Sequence, residues 1–223
     1  MTIGFLLLPF VFFLFISEFA HIGVSTLLKD LSISFTRITI AYVIAALLGW
    51  LCAVAFYKGR QSNVALPLFD VLQSFPTFAA LPLAVYAWGP TSFTVIFFLV
   101  FTILWPILFS LVSSLKMVKS DWEEAIKISQ LSGWEYFRRF LWPISVPALI
   151  IGSVVGLGDG WEALVATEIV AKTRLGLGSF FQSYSTNLNV TVFGILGMLL
   201  FIFCLNKIVW LPLLEWSHKT LEE

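Results

Sequence analysis

The chain has 223 residues, of which 59% are apolar and only 12% charged, and its formal net charge is zero. Its mean hydropathy is +0.96. A soluble domain is nearer half apolar and a quarter charged, so this is the composition of an all-α, polytopic membrane protein. Balanced charge leaves no basic face for nucleic acid.

In chain order, residues 3–20 form a first apolar span of about one bilayer thickness at helical rise. With no basic start and no small-residue cleavage site, it reads as a retained helix rather than a signal sequence. Residues 21–35 are short and mixed, with His21, Lys29 and Asp30, and are expected along the interface. Residues 36–57 are a second span, closed by Lys58-Gly59-Arg60. Arg37 near its head reads as an interfacial anchor that snorkels, with substrate contact as the alternative.

Residues 64–88 form a third span interrupted by Pro67, Pro76 and Pro82, with Asp70, Gln73 and Ser74 inside it. Prolines free carbonyls that only protein or a wet cavity can satisfy at membrane depth. Gly89-Pro90 is a tight turn, and residues 91–115 are the fourth span.

Residues 120–147 are the longest strongly polar interruption, expected in water beside the membrane. Ser120 and Glu123 make a capping box, and Trp122, Ala125, Ile126 and Ser129 share one helical face. Gly133 suits a stop after this first short helix. A second short helix is expected over 134–141, with Arg138 and Arg139 in its last turn. Pro143 and Pro147 then fit the first turn of the fifth span, residues 144–170.

The fifth span is rich in small residues. Gly152 and Gly156, four apart, permit close helix approach. It also carries Asp159, Glu162 and Glu168, and a carboxylate in a span faces a partner or water. Residues 172–189 read as a polar turn. Residues 190–214 are the sixth span, with Asn206 and Lys207 near its inner end, followed by a short polar tail over 217–223. Cys52 and Cys204 lie inside apolar spans without metal-ligand spacing and read as small hydrophobes.

The polar stretch resembles the EAA loop of ABC-importer permeases, most like the group for nitrate, taurine and alkanesulfonate. Glu124 and Ala125 match its first positions; Phe137, Arg138 and Arg139 its aromatic and basic stretch; Pro143 and Pro147 its final prolines. Ile126 stands where a second alanine is usual and Gln130 where glycine is, so Gly133 takes over the bend. Ser34, Arg37 and Gly49 resemble the family's entry segment. The run from Gln73 to Leu83 resembles its proline-rich segment, and Gly160, Trp161, Val165, Glu168, Gly176 and Gly178 its segment after the loop.

The resemblance implies the type I importer permease fold, with about six membrane helices in one domain, residues 1–223, and a cytoplasmic coupling loop, 116–142. It implies ATPase coupling through Trp122, Glu124, Ala125, Ile126, Gln130 and Gly133. It places Ser74, Phe75, Pro76, Trp161 and Glu168 beside the translocation path, although Glu168 also reads as structural near the outer mouth. The chain has no phosphate-binding G-x-x-x-x-G-K-[ST] loop, so ATP belongs to a separate cytosolic ATPase subunit. It holds no catalytic set, metal or cofactor of its own. A second permease, identical or paralogous, an extracytoplasmic solute-binding protein and the bilayer are the implied partners. With basic residues counted, the protein is expected in the inner membrane with both termini cytosolic. A membrane-embedded enzyme built on Asp159, Glu162 and Glu168, or an assembly protein without transport, are the alternatives.

Overall fold

The computed structural model describes residues 24–118 and 133–222, together with residue 128 and the pairs 8–9, 11–12, 14–15 and 17–18. The elements are α1 (Val24–Phe56), α2 (Ser62–Gln73), α3 (Thr77–Trp88), α4 (Ser92–Lys116) and α5 (Gly133–Tyr136). A π-helical turn (Phe137–Leu141) leads into α6 (Trp142–Val170), followed by α7 (Leu177–Ser183) and α8 (Leu188–Leu205). A second π-helical turn (Asn206–Trp210) continues into α9 (Leu211–Glu222). Among the described residues, four continuous helices are long and apolar enough to cross a membrane: Ser25–Phe56, Ser92–Lys116, Gly133–Val170 and Leu188–Ser217. The pair α2–α3, bent by 78°, is long and apolar enough only when its two halves are taken together, as a broken span or a re-entrant loop. The chain is therefore an all-helical, multi-pass membrane protein. Most of the expected first span lies outside the described residues, but Phe15 from it meets Phe193 of α8 edge-on, with ring centroids 6.0 Å apart.

The core is a three-helix unit of α1, α4 and α6. Glycines make the close contact possible. A Cβ at Gly152 would lie 2.7 Å from Ile107 Cα, and at Gly156 2.9 Å from the Ile103 carbonyl. Gly160 continues the stripe, 2.9 Å from the Ile103 side chain. With the backbones this near, Ser110 Oγ donates to the Ala148 carbonyl at 2.7 Å. Gly158 is different, because a Cβ there meets nothing within 4 Å. Gly158→Ala is therefore expected to leave stability unchanged or raise it by up to about 1 kcal/mol, the helix-propensity difference. Heating of the purified chain in detergent checks this.

Four expectations about boundaries change. Residues 24–35 do not lie apart along the interface: α1 runs unbroken through them. The reason is a continuous buried stripe, Leu27, Asp30, Ser34, Arg37, Ile38, Ala41 and Ala45, at helical spacing. The hydroxyls of Ser32, Thr36 and Thr39 are satisfied by carbonyls one turn back. Residues 134–141 are not a separate helix either; they join α6 through the π turn, which buries Phe140 and Leu141. Pro143 sits in the first turn of α6 as expected, whereas Pro147 lies inside it. Residues 172–189 are not merely a polar turn, since α7 forms there and buries Leu177, Phe180 and Phe181. The tail is helical as far as Glu222, with Ser217 buried.

The third span behaves as its prolines suggest, but only one of them breaks it. Pro67 and Pro82 are accommodated inside α2 and α3. The bend falls at 74–76, where Pro76 has no N–H to offer and precedes the first turn of α3.

Candidate functional site

The bend at Ser74, Phe75 and Pro76 is stitched locally. Ser74 Oγ donates to the Asp70 carbonyl at 3.1 Å, and Thr77 Oγ1 to the Phe75 carbonyl at 3.1 Å. Gln73 Nε2 donates to Asp70 Oδ1 at 2.7 Å. The Phe75 ring rests edge-on against Phe101 of α4, centroids 5.9 Å apart, yet the residue is still 49% exposed. A carboxylate, an amide and a bent backbone, inside a helix pair that together is apolar enough to span a membrane, thus stand exposed on the chain's surface. Such groups require water or another protein surface beside them.

Trp161 lies elsewhere. It is 4% exposed and packs against Phe35 (6.5 Å) and Phe201 (5.7 Å), on the side of α6 that faces α1 and α8. Phe35 and Trp161 line a largely apolar cleft of about 210 Å3 between the three helices. Tyr42 and Trp210, in edge-on contact at 5.7 Å, line it as well.

Glu168 is fully enclosed, and its partner is Arg37, 8% exposed, with Nη1 2.5 Å from Oε1. Ser34 Oγ donates to the same carboxylate at 2.9 Å, and the Gly178 N–H donates to Oε2 at 2.8 Å. Arg37 also donates to Ser92 Oγ at 3.1 Å and to the Leu175 carbonyl at 2.9 Å. Asp30 Oδ1 accepts from the Gly176 N–H at 2.9 Å, and Ser34 Oγ from the Leu177 N–H at 2.8 Å. The first N–H groups of α7 thus have no local cap. They are capped by side chains brought from α1 and α6. Gly176, at φ +126°, is required here, because a Cβ would lie 2.5 Å from Glu168 Oε2.

Arg37 is therefore buried in an ion pair, not snorkelling at a rim. The knot joins Arg37 and Glu168, two residues that the sequence marked separately, and adds Asp30 and Ser34. The spacing of Asp30, Ser34 and Arg37, four and then three apart, was the available signal: a polar stripe on one helical face, in a stretch where other polar residues obscured it. Asp159 and Glu162 are exposed on α6 and do not join Glu168. Among the described residues no group of three or more His, Cys, Asp or Glu is placed to hold a metal ion.

Of the coupling residues, Trp122, Glu124, Ala125, Ile126 and Gln130 lie outside the described residues. Gly133 opens α5 with φ +56°, the left-handed conformation glycine accepts.

Residues 45–209 match the family model described as binding-protein-dependent transport system inner membrane component. The chain is 29% identical over 175 residues to a bicarbonate transport system permease protein of Synechococcus elongatus, covering 75% of this chain and 63% of that protein. It is 30% identical to a nitrate import permease protein of Synechocystis sp., with the same coverage of 75% and 63%. To a taurine transport system permease protein of Escherichia coli it is 32% identical, over 71% of this chain and 58% of that protein. The chain thus spans a little under two thirds of the length of these relatives.

Proposed function

Because the chain belongs to the binding-protein-dependent transport system inner membrane components, we propose that it is the permease subunit of an ATP-driven importer, passing a small solute across the membrane by alternating access. The observation that carries this reading is the 78° break between α2 and α3, with Asp70, Gln73 and the residues at 74–76 exposed around it. Broken helices near the midplane are where transporters hold their cargo. In this reading the exposed bend faces the path, which is completed by a second permease, identical or paralogous. Ser74, Phe75 and Pro76 line that path. Trp161 and Glu168 support it from behind, the former as an aromatic wall and the latter as the clamp that holds α1, α6 and α7 together. The cargo is a small oxyanion, sulfonate or heterocycle, delivered by an extracytoplasmic binding protein.

The energy comes from ATP bound to separate cytosolic subunits, and the chain performs no hydrolysis. The 116–142 loop docks on those subunits through Trp122, Ala125 and Ile126, with Glu124 paired to a basic or N–H donor. Gln130 and Gly133 shape the turn. Lys58, Arg60, Lys116, Arg138 and Arg139 lie toward the same end, and this excess of basic residues supports a cytosolic side there, with both termini on it. An acid-based membrane enzyme is less well supported, since Glu168 is sealed by Arg37, Ser34 and Gly178 while Asp159 and Glu162 stand apart.

Glu124→Lys tests the docking. In vesicles carrying the permease, its ATPase and its binding protein, the variant is expected to keep ATP hydrolysis while solute uptake falls to background. Uptake at the wild-type rate would count against coupling through this loop.

A further inference from the structure

The cleft of about 210 Å3 between α1, α6 and α8 is left unused by the transport mechanism. Its walls belong to helices that are each long and apolar enough to cross a membrane, and no residue of α2, α3 or α4 reaches it. Gly158 keeps it open. Gly152, Gly156 and Gly160 of the same helix receive α4, whereas a Cβ at Gly158 would meet nothing within 4 Å. The cleft is a slot running along the helices: from Phe35 to Tyr42 it follows α1 for seven residues, about 10 Å at helical rise. A water-sized group takes about 30 Å3, so the slot holds about seven of them. A methylene is of that size, and a straight file of methylenes matches both the length and the volume.

The hydroxyls beside the slot are spent within the chain. Thr39 Oγ1 donates to the Phe35 carbonyl at 2.7 Å, and the Tyr42 and Ser153 hydroxyls lie 3.0 Å apart. Water therefore finds little to hold it there. Leaving the slot empty is costly too, because its lining then has no atoms to touch on one side. The exposed side chains to either hand, Val43 and Leu47 on α1 and Ile195 and Leu199 on α8, are apolar, as a surface turned to lipid is. The described residues of the first span lie elsewhere. None of them lines the slot, and Phe15 meets Phe193, nine residues before Ile202. Nine residues are about two and a half helical turns, so Phe193 is on the face of α8 opposite Ile202.

We propose that this slot holds one acyl chain of a bilayer phospholipid, wedged between α8 and the pair α1 and α6. The chain is retained by close contact along its length rather than by escape from water, since lipid tails are as apolar as the walls. Phe35 and Trp161 flank it at one level, and Tyr42 and Trp210 at another. The half-buried amide of Asn206, in the same wall, suits the ester carbonyl of such a lipid, an acceptor that a bare hydrocarbon lacks. The acyl site needs only the spanning arrangement and not ATP-driven transport, so each can fail without the other.

The test reconstitutes the full chain, with any subunits that purify with it, in vesicles of phosphatidylcholine carrying a diazirine partway down one acyl chain. After illumination the labelled residues are identified by mass spectrometry of the peptides. Label is expected to concentrate on Thr39, Tyr42 and Val209 in the slot, over Leu47 and Leu199 on the open surface. Gly158→Leu places a side chain in the slot, so it should lose the label there and keep it at Leu47 and Leu199. Equal labelling of slot and surface, or undiminished slot labelling in Gly158→Leu, overturns the proposal. So does a wild-type slot that takes no label, since another part of the molecule or a partner subunit then fills it. Should Gly158→Leu fail to fold, the wild-type chain still decides. Moving the diazirine about four carbons along the acyl chain must move the label along the slot by about one helical turn; a label that stays where it was comes from fluid lipid and overturns the proposal.

Discussion

Arg37→Ala is expected to destabilise the chain by about 3–5 kcal/mol, the cost of leaving one half of a buried ion pair without its partner. Glu168 would remain in a site with no solvent exposure, holding only Ser34 and the Gly178 N–H. The consequence spreads, because Arg37 also holds the Leu175 carbonyl and Ser92. The start of α7 depends on the same knot. In a thermal melt of the detergent-solubilised protein the midpoint should drop by roughly 10 °C. Arg37→Met/Glu168→Gln is the informative companion. It removes both charges yet keeps a neutral acceptor for Ser34 and Gly178, so it should melt well above Arg37→Met alone. A double variant no more stable than that single one would mean that the two side chains do not interact energetically, whatever their distance.

Gly152→Leu is expected to cost about 3 kcal/mol or more, at the upper end of what overpacking does. The obstruction is backbone: Ile107 Cα at 2.7 Å and the Pro106 carbonyl at 2.9 Å from the new Cβ. Backbone in a helix cannot rotate aside as a side chain can, so α4 and α6 must separate. That movement would also break the Ser110–Ala148 hydrogen bond and loosen the contacts at Gly156 and Gly160. The measure is the fraction of protein still monodisperse after heating, compared with Gly158→Ala. Similar survival of both variants would mean that the α4–α6 contact is not what holds the core.

Much of the architecture could be read along the chain. Hydropathy marked the spans, because burial in lipid makes the same demand on every turn of a helix. Gly152 and Gly156 signalled a close interface, and the three prolines of the third span an interruption, though not which of them would break it. These are local properties: a missing Cβ, a missing N–H, a run of apolar side chains. Boundaries fared worse where polar residues continued a helix. Lys29 and Asp30 made residues 21–35 look interfacial, although the buried stripe from Leu27 to Ala45 crosses them without a pause. The apolar residues of α7 were hidden in a segment where serine, asparagine and glycine are interspersed throughout.

The candidate site divides in the same way. Glu168 could be marked as an acid needing a partner, but its partner lies 131 residues earlier in the chain. Arg37 at a helix head is equally compatible with snorkelling to water and with burial against a carboxylate. Local chemistry does not choose between them; the choice depends on which helix packs alongside. The amino-acid order by itself determined a greasy, multi-pass helical chain with a polar elbow and a proline-interrupted third span, because each follows from neighbours a turn or two apart. Only the tertiary structure decided that Asp30, Ser34, Arg37 and Glu168 meet at the start of α7. Desolvating a charge is tolerable only where distant helices bring the opposite charge and the hydrogen-bond donors to the same place.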